Sequence, residues 1–175
     1  MIHPANLTRL CGVAVLAAIT ALSLPAAAQQ MAAPTGDVVL TISGAITAPN
    51  SDGVLALDMA QLQSLPQQEF STTTIWTEGE TTFRGVLLKD VLTAAGATGA
   101  TLALTALNDY QIQMPTAEAG NEGPTIAYMM NGAEMPVRDK GPLWLVYPYD
   151  SNADFRTEQA YARSIWQLSR IEVTD

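Results

Sequence analysis

Beyond residue 28 this 175-residue chain contains neither cysteine nor histidine; Cys11 and His3 are the only examples, and both precede that point. A fold built from residues 29–175 has no disulfide and no Cys/His zinc cluster to staple it, so packing of apolar side chains must hold it together. The same absence narrows function. Thiolate and imidazole are the usual nucleophile, general base and soft metal ligand near neutral pH. Without them most enzyme chemistries fall away, and a binding role comes forward.

Residues 1–28 read as a secretory signal peptide: Arg9 supplies the positive charge, Cys11 to Leu24 the apolar run, and Ala26, Ala27 and Ala28 the small residues before a cleavage point. The run is too short for a membrane span. Cys11 precedes it, where a lipidated cysteine would follow. The expectation is an exported, periplasmic protein with a short flexible lead-in over residues 29–37 and one domain over residues 38–175, a size that suits a single core. Eight basic against 17 acidic residues give a formal net charge of −9. Such a surface repels nucleic acid and anionic lipid, and an anionic ligand needs a local basic pocket.

The pattern along the domain favours strands. Val38 to Ser43 is a β-branched run closed by Gly44. Asp58 is placed to cap a short helix carrying Met59, Leu62 and Leu65, which Pro66 stops. Phe70 to Trp76 has strand composition, with a turn at Glu78-Gly79-Glu80. Val86, Leu87, Leu88, Val91 and Leu92 fit one face of a helix ending at Gly96. Further strands are predicted at Leu102 to Leu107, Tyr110 to Met114, Ile126 to Met130, Leu143 to Tyr147 and Ile165 to Val173, with Asn131-Gly132 as a hairpin turn. Strands outnumber helices and connect locally, which argues an α+β fold with a dominant sheet.

Five segments, in order, carry a resemblance. They are Phe83-Arg84-Gly85-Val86-Leu87-Leu88-Lys89-Asp90-Val91-Leu92, Leu107-Asn108-Asp109-Tyr110-Gln111-Ile112, Tyr128-Met129-Met130-Asn131-Gly132, Gly141-Pro142-Leu143-Trp144-Leu145-Val146-Tyr147-Pro148, and Ser164-Ile165-Trp166-Gln167-Leu168. Together they resemble the molybdopterin-binding domain of the sulfite oxidase family, over nearly the whole span from Val38 to Val173. The resemblance implies a mainly β sulfite oxidase-type fold, a mixed sheet with short helices in a single domain. It also implies that a catalytic member would carry a molybdenum-ligating cysteine near Thr73, within Ser71-Thr72-Thr73-Thr74. A hydroxyl is a hard donor and replaces a soft thiolate poorly. Trp144 also stands where the enzymes often carry arginine.

These departures resemble a smaller group of stand-alone periplasmic proteins that keep the fold, lack the metal ligand and bind free pterins. The resemblance to that group rests on Arg138-Asp139-Lys140-Gly141-Pro142-Leu143-Trp144 and on Trp166-Gln167-Leu168. It implies a partner, the periplasmic domain of a membrane diguanylate cyclase or phosphodiesterase. The expectation is a non-catalytic pterin-binding protein with no metal; the alternative is a molybdopterin-dependent oxidoreductase with non-cysteine ligation.

A pterin is a flat bicycle that needs an aromatic face and amide or carboxylate partners for its ring nitrogens. The candidate contacts are Thr73, Asn108, Asp109, Tyr110, Arg138, Trp144, Tyr147, Ser164 and Trp166, with Tyr149, Asp150, Tyr161 and Arg163 nearby in sequence. Each has an ordinary reading beside the functional one. Trp144 and Trp166 suit a core equally well, Asn108-Asp109 is a favoured turn pair, the threonines suit a strand, and Arg138-Asp139-Lys140 suits a solvated loop. Asp150-Ser151-Asn152-Ala153-Asp154 begins like a calcium loop, but Phe155 and Tyr161 occupy the required glycine and glutamate positions, so no calcium is expected.

Overall fold

The computed structural model describes residues 31–175; the leader expected over residues 1–28 lies outside them. The elements run β1 (Val38–Gly44), β2 (Leu55–Asp58), α1 (Met59–Ser64), β3 (Gln67–Thr73), β4 (Glu80–Leu87), α2 (Leu88–Ala95), β5 (Thr101–Ala106), β6 (Gln111–Pro115), β7 (Thr125–Met130), β8 (Ala133–Glu134), β9 (Trp144–Val146), α3 (Glu158–Arg163) and β10 (Leu168–Thr174). Two five-stranded sheets result. One has the order β2-β1-β10-β5-β6; the other has β3-β4-β7-β8, with β9 beside β8 on the same edge of β7. β10 runs parallel to β1, with Thr41 opposite Arg170, while the other pairs are antiparallel. The architecture is the expected one, mainly β with short helices and a mixed sheet.

The sheets differ in how they are buried, and the sequence shows why. Leu40, Ile42, Leu55 and Leu57 of the first sheet pack with Val86, Ile126 and Leu145 of the second and with Val91 and Leu92 of α2. The other face of the first sheet presents Ser43, Thr105, Arg170 and Glu172, the alternation of a half-solvated sheet. The second sheet is covered on both sides. Ile126 and Tyr128 enter the core between the sheets, whereas Ala127, Trp144 and Val146 enter a second cluster with Phe83, Tyr147 and Tyr149. Successive residues of β7 and β9 therefore all meet apolar neighbours, which accounts for their continuous apolar runs.

Several boundaries differ from the sequence pattern. Val86 and Leu87 finish strand β4, and the helix starts only at Leu88; pairing of Val86 with Gln67 and Ile126 on either side overrides the helical spacing. β3 stops at Thr73, so Ile75 and Trp76 lie in a loop rather than a strand. β10 starts at Leu168, because Gln167 takes a left-handed backbone with φ 53°. Helix α3 carries no strong periodic signal; the Thr157 hydroxyl accepts the Ala160 N–H as its cap. Asn131 and Gly132 form the expected hairpin turn, both at positive φ.

The segment expected as a flexible lead-in is tied down from Ala32 onward. Its carbonyl accepts from Asn50 and Gln61, and the Thr35 and Gly36 N–H groups donate to Asp58 Oδ2 at 3.0 and 2.9 Å. The same carboxylate caps α1 through the Gln61 N–H, which closes a capping box.

Gly85 marks the closest approach between β4 and β7, at a register shift. A Cβ there would lie 2.1 Å from the Ile126 carbonyl oxygen and 2.6 Å from the Ala127 Cα. These are all β7 backbone atoms, which cannot yield as a side-chain tip can. Gly85→Ala is expected to cost about 1–3 kcal/mol of stability, read as a lower midpoint in thermal unfolding followed by circular dichroism.

Candidate ligand cleft

The loop after β3 is shaped by its hydroxyls. The Thr74 side chain accepts the N–H groups of Trp76 and Thr77, both at 3.0 Å, and the Thr74, Thr77 and Thr81 hydroxyls form a chain with spacings of 2.8 and 3.0 Å. Such local hydroxyl-to-backbone bonds compete with strand pairing and turn the chain. The turn carries Trp76 into the second cluster. There its ring meets those of Trp144, Tyr149, Tyr161 and Trp166 with centroid separations of 5.7, 6.2, 5.8 and 6.0 Å.

Beside this aromatic group lies a cleft of about 290 Å³, lined by Trp76, Ala106, Asn108, Tyr110, Tyr161, Ala162, Ser164, Ile165, Trp166 and Gln167. That is near the lower end of small-ligand sites. Among the described residues, none that lines it is formally charged. The β5–β6 turn supplies Asn108 and Tyr110, α3 supplies Tyr161, and the left-handed turn at Gln167 sets Trp166 at the mouth. Trp166 is 38% exposed and Tyr110 56%. The Gln167 NH2 is held by the Val137 and Asp139 carbonyls and the Asn108 Oδ1 accepts the Tyr110 N–H. This leaves the Asn108 NH2 and the Gln167 Oε1 among aromatic rings, a lining that suits a flat heteroaromatic ring with donors and acceptors on its edge.

Of the residues singled out from sequence, Asn108, Tyr110, Ser164 and Trp166 come together here. The others do not line this cleft. Trp144 is fully buried, packed edge-on against Phe83, with its indole N–H donated to the Ser164 carbonyl at 3.2 Å; its ring presents no open face. Asp109 does not line the cleft and binds Arg170 at 2.6 Å. Arg138 is exposed, in the loop before Gly141, and stands apart from the cleft lining. Tyr147 belongs to a separate depression with Phe155 and the Glu118–Arg163 ion pair. Burial pushes its hydroxyl up to about 12 and raises Tyr149 further, although the Tyr149 hydroxyl shares a 2.5 Å hydrogen bond with Ser164 Oγ.

Thr73 is engaged elsewhere as well. Its N–H and hydroxyl both donate to Asp150, at 2.5 and 2.9 Å, while the Asp150 N–H donates to the Thr72 hydroxyl at 3.0 Å. Arg156 adds an ion pair to the same carboxylate at 3.0 Å. The Thr73 N–H, its hydroxyl and Arg156 hold the Asp150 carboxyl below its ordinary value. Sequence reasoning missed Trp76, Gln167 and Lys140, which lies over the Trp166 ring. Strand composition concealed Trp76, and nothing in the local pattern announces the backbone turn that aims Gln167.

These features define an α+β domain with an uncharged aromatic cleft at the β5–β6 turn and just before β10. Its family is the oxidoreductase molybdopterin binding domain, whose family model matches residues 30–175, and the chain belongs to it. Among solved structures it is similar to the sulfane dehydrogenase SoxCD from Paracoccus pantotrophus, with a TM-score of 0.58 at 15% identity. The match covers 83% of this chain and 40% of that one, and at this identity it shows the fold alone. No curated protein matches the chain.

Molybdopterin of the catalytic kind carries molybdenum on its dithiolene, and in the resemblance a protein thiolate completes the site. The donors here do not fit that arrangement. Thr73 is spent on Asp150, both are hard oxygen donors, and among the described residues no three His, Cys, Asp or Glu side chains cluster to hold a metal.

The Asp150 carboxyl titrates lower in the folded chain than its ordinary 3.8. Its contribution to stability is present above that value and is lost as pH falls through the lowered one. Asp150→Ala is expected to lower the unfolding midpoint near neutral pH, modestly, because water screens the part-exposed carboxylate. The difference between wild type and variant should start to narrow as pH falls below 3.8, checked by thermal unfolding at about pH 7 and at a series of pH values below 3.8.

Proposed function

We propose that this chain is an exported, non-catalytic pterin-binding protein of the periplasm. The observation that carries the reading is the uncharged cleft lined together by Trp166, Tyr110, Trp76 and Asn108. A free pterin would lie against the exposed aromatic rings, with the amides pairing its ring edge. The closed Thr73–Asp150 hydrogen bonds favour a role without thiolate-bound metal. Export rests on the leader-like residues 1–28. The partner, the periplasmic domain of a membrane diguanylate cyclase or phosphodiesterase that reads pterin status, rests on the family resemblance.

The test is to purify the protein from its native periplasm, identify released small molecules by mass spectrometry and assay molybdenum on the same sample. A pterin without stoichiometric molybdenum is the expected result. Stoichiometric molybdenum with a pyranopterin would instead make the chain a molybdopterin-dependent oxidoreductase with oxygen ligation. Tyr110→Ala and Trp166→Ala are each expected to weaken pterin binding by roughly ten-fold or more, measured by fluorescence titration. Tyr110 is exposed, so its removal leaves the core packing in place.

A further inference from the structure

Lys140 has an unusual position for a lysine. Its side chain is only 13% exposed, and its ammonium lies 5.1 Å from the centroid of the Trp166 ring and 5.7 Å from that of Trp144. Lys140 does not line the cleft, whereas Trp166 does. The cation therefore lies over the Trp166 ring without being part of the cleft lining. The position is held from several directions: the Lys140 carbonyl accepts the Gln167 N–H at 3.0 Å, the Gln167 amide donates to the Val137 carbonyl at 2.6 Å, and Asp139 pairs with the ammonium at 2.9 Å.

The surroundings make this charge count. Among the described residues the cleft wall contains no Asp, Glu, Lys or Arg, and the chain as a whole carries −9. Asp139, the counter-charge, is about half exposed, so water screens it more than it screens the ammonium. Of the nearby acids, Asp109 is bound to Arg170 on the outer face of the first sheet. A ring lying against Trp166 thus meets the field of a part-buried cation, where the effective dielectric is well below that of water.

We propose that Lys140 sets the charge preference of the cleft: acting through Trp166, it favours flat heteroaromatic ligands that are anionic or neutral over cationic ones. This rests on the reading of the cleft as a pterin site. Lys140 is a positioning and charge-setting residue, and touches no ligand itself. The polar lining fits the same preference. The Asn108 side-chain NH2 can donate to an anionic ring edge that a carboxylate would repel, whereas the Asn108 Oδ1 accepts the Tyr110 N–H and the Gln167 NH2 is held by the Val137 and Asp139 carbonyls.

The experiment compares three probes with one ring, 6-carboxypterin, 6-hydroxymethylpterin and 6-aminomethylpterin, whose side groups carry negative, no and positive charge near neutral pH. For the wild-type protein, fluorescence titration is expected to give affinity falling in that order, with about ten-fold between the extremes at low salt and less at high salt. Lys140→Met should compress the spread to about two-fold, and Lys140→Arg should restore it. Far-ultraviolet circular dichroism and the melting midpoint report folding of each variant. An unchanged spread in folded Lys140→Met would overturn the inference and leave pterin binding standing. If none of the three probes bound the wild type, the functional reading itself would fall, and this inference with it.

Discussion

The ring of Trp76 holds the functional end of the molecule together. It meets Trp144 from β9, Tyr149 from the loop beyond, Tyr161 from α3 and Trp166 from the turn before β10, so four separate pieces of chain converge on one side chain. The pairs with Trp144, Tyr161 and Trp166 are near-perpendicular, the geometry in which a positive ring edge meets a negative ring face. Nothing covalent joins these segments. Aromatic packing fixes their relative positions, and one of its outer surfaces is the wall of the cleft.

The threonines around Trp76 explain how a polar stretch serves an apolar cluster. Thr72 and Thr73 tie the end of β3 to Asp150, and Thr74, Thr77 and Thr81 turn the following loop back on itself. A hydroxyl is short enough to bond neighbouring backbone without leaving an unpaired charge in a part-buried place. At the position where the resemblance puts a metal-binding thiolate, the chain has a closed set of hydrogen bonds, supported by Arg156.

Much of the framework is legible in the sequence because its signals are local. Asp58 with Gln61 three residues on announces a capped helix, Gly96 at φ 61° ends α2, and Asn131-Gly132 marks a hairpin. The pattern misleads where tertiary pairing decides. Val86 and Leu87 satisfy a helical spacing, yet sit in a strand hydrogen-bonded on both sides. Trp144 and Trp166 look alike in sequence; one is sealed within the second cluster and the other stands at a surface, a difference made by the backbone turn at Gln167. Asp109 looks like the polar partner for a ligand because turn geometry and recognition favour the same residue type. Its direction depends on Arg170, which lies 61 positions away in sequence.

A protein of net charge −9 would be expected to hold a cationic ligand if overall charge decided the matter. Under the proposed charge preference, local arrangement decides it instead, because screening confines exposed charges to about 10 Å while a part-buried cation is screened less. No acidic side chain lines the cleft among the described residues, and Lys140, over its Trp166 wall, is tied by one backbone hydrogen bond to Gln167, itself part of the lining. The turn that exposes Trp166 is thus the same one that fixes Lys140 over it. Shape and charge at this site are consequently set together, and a change at Gln167 would disturb both.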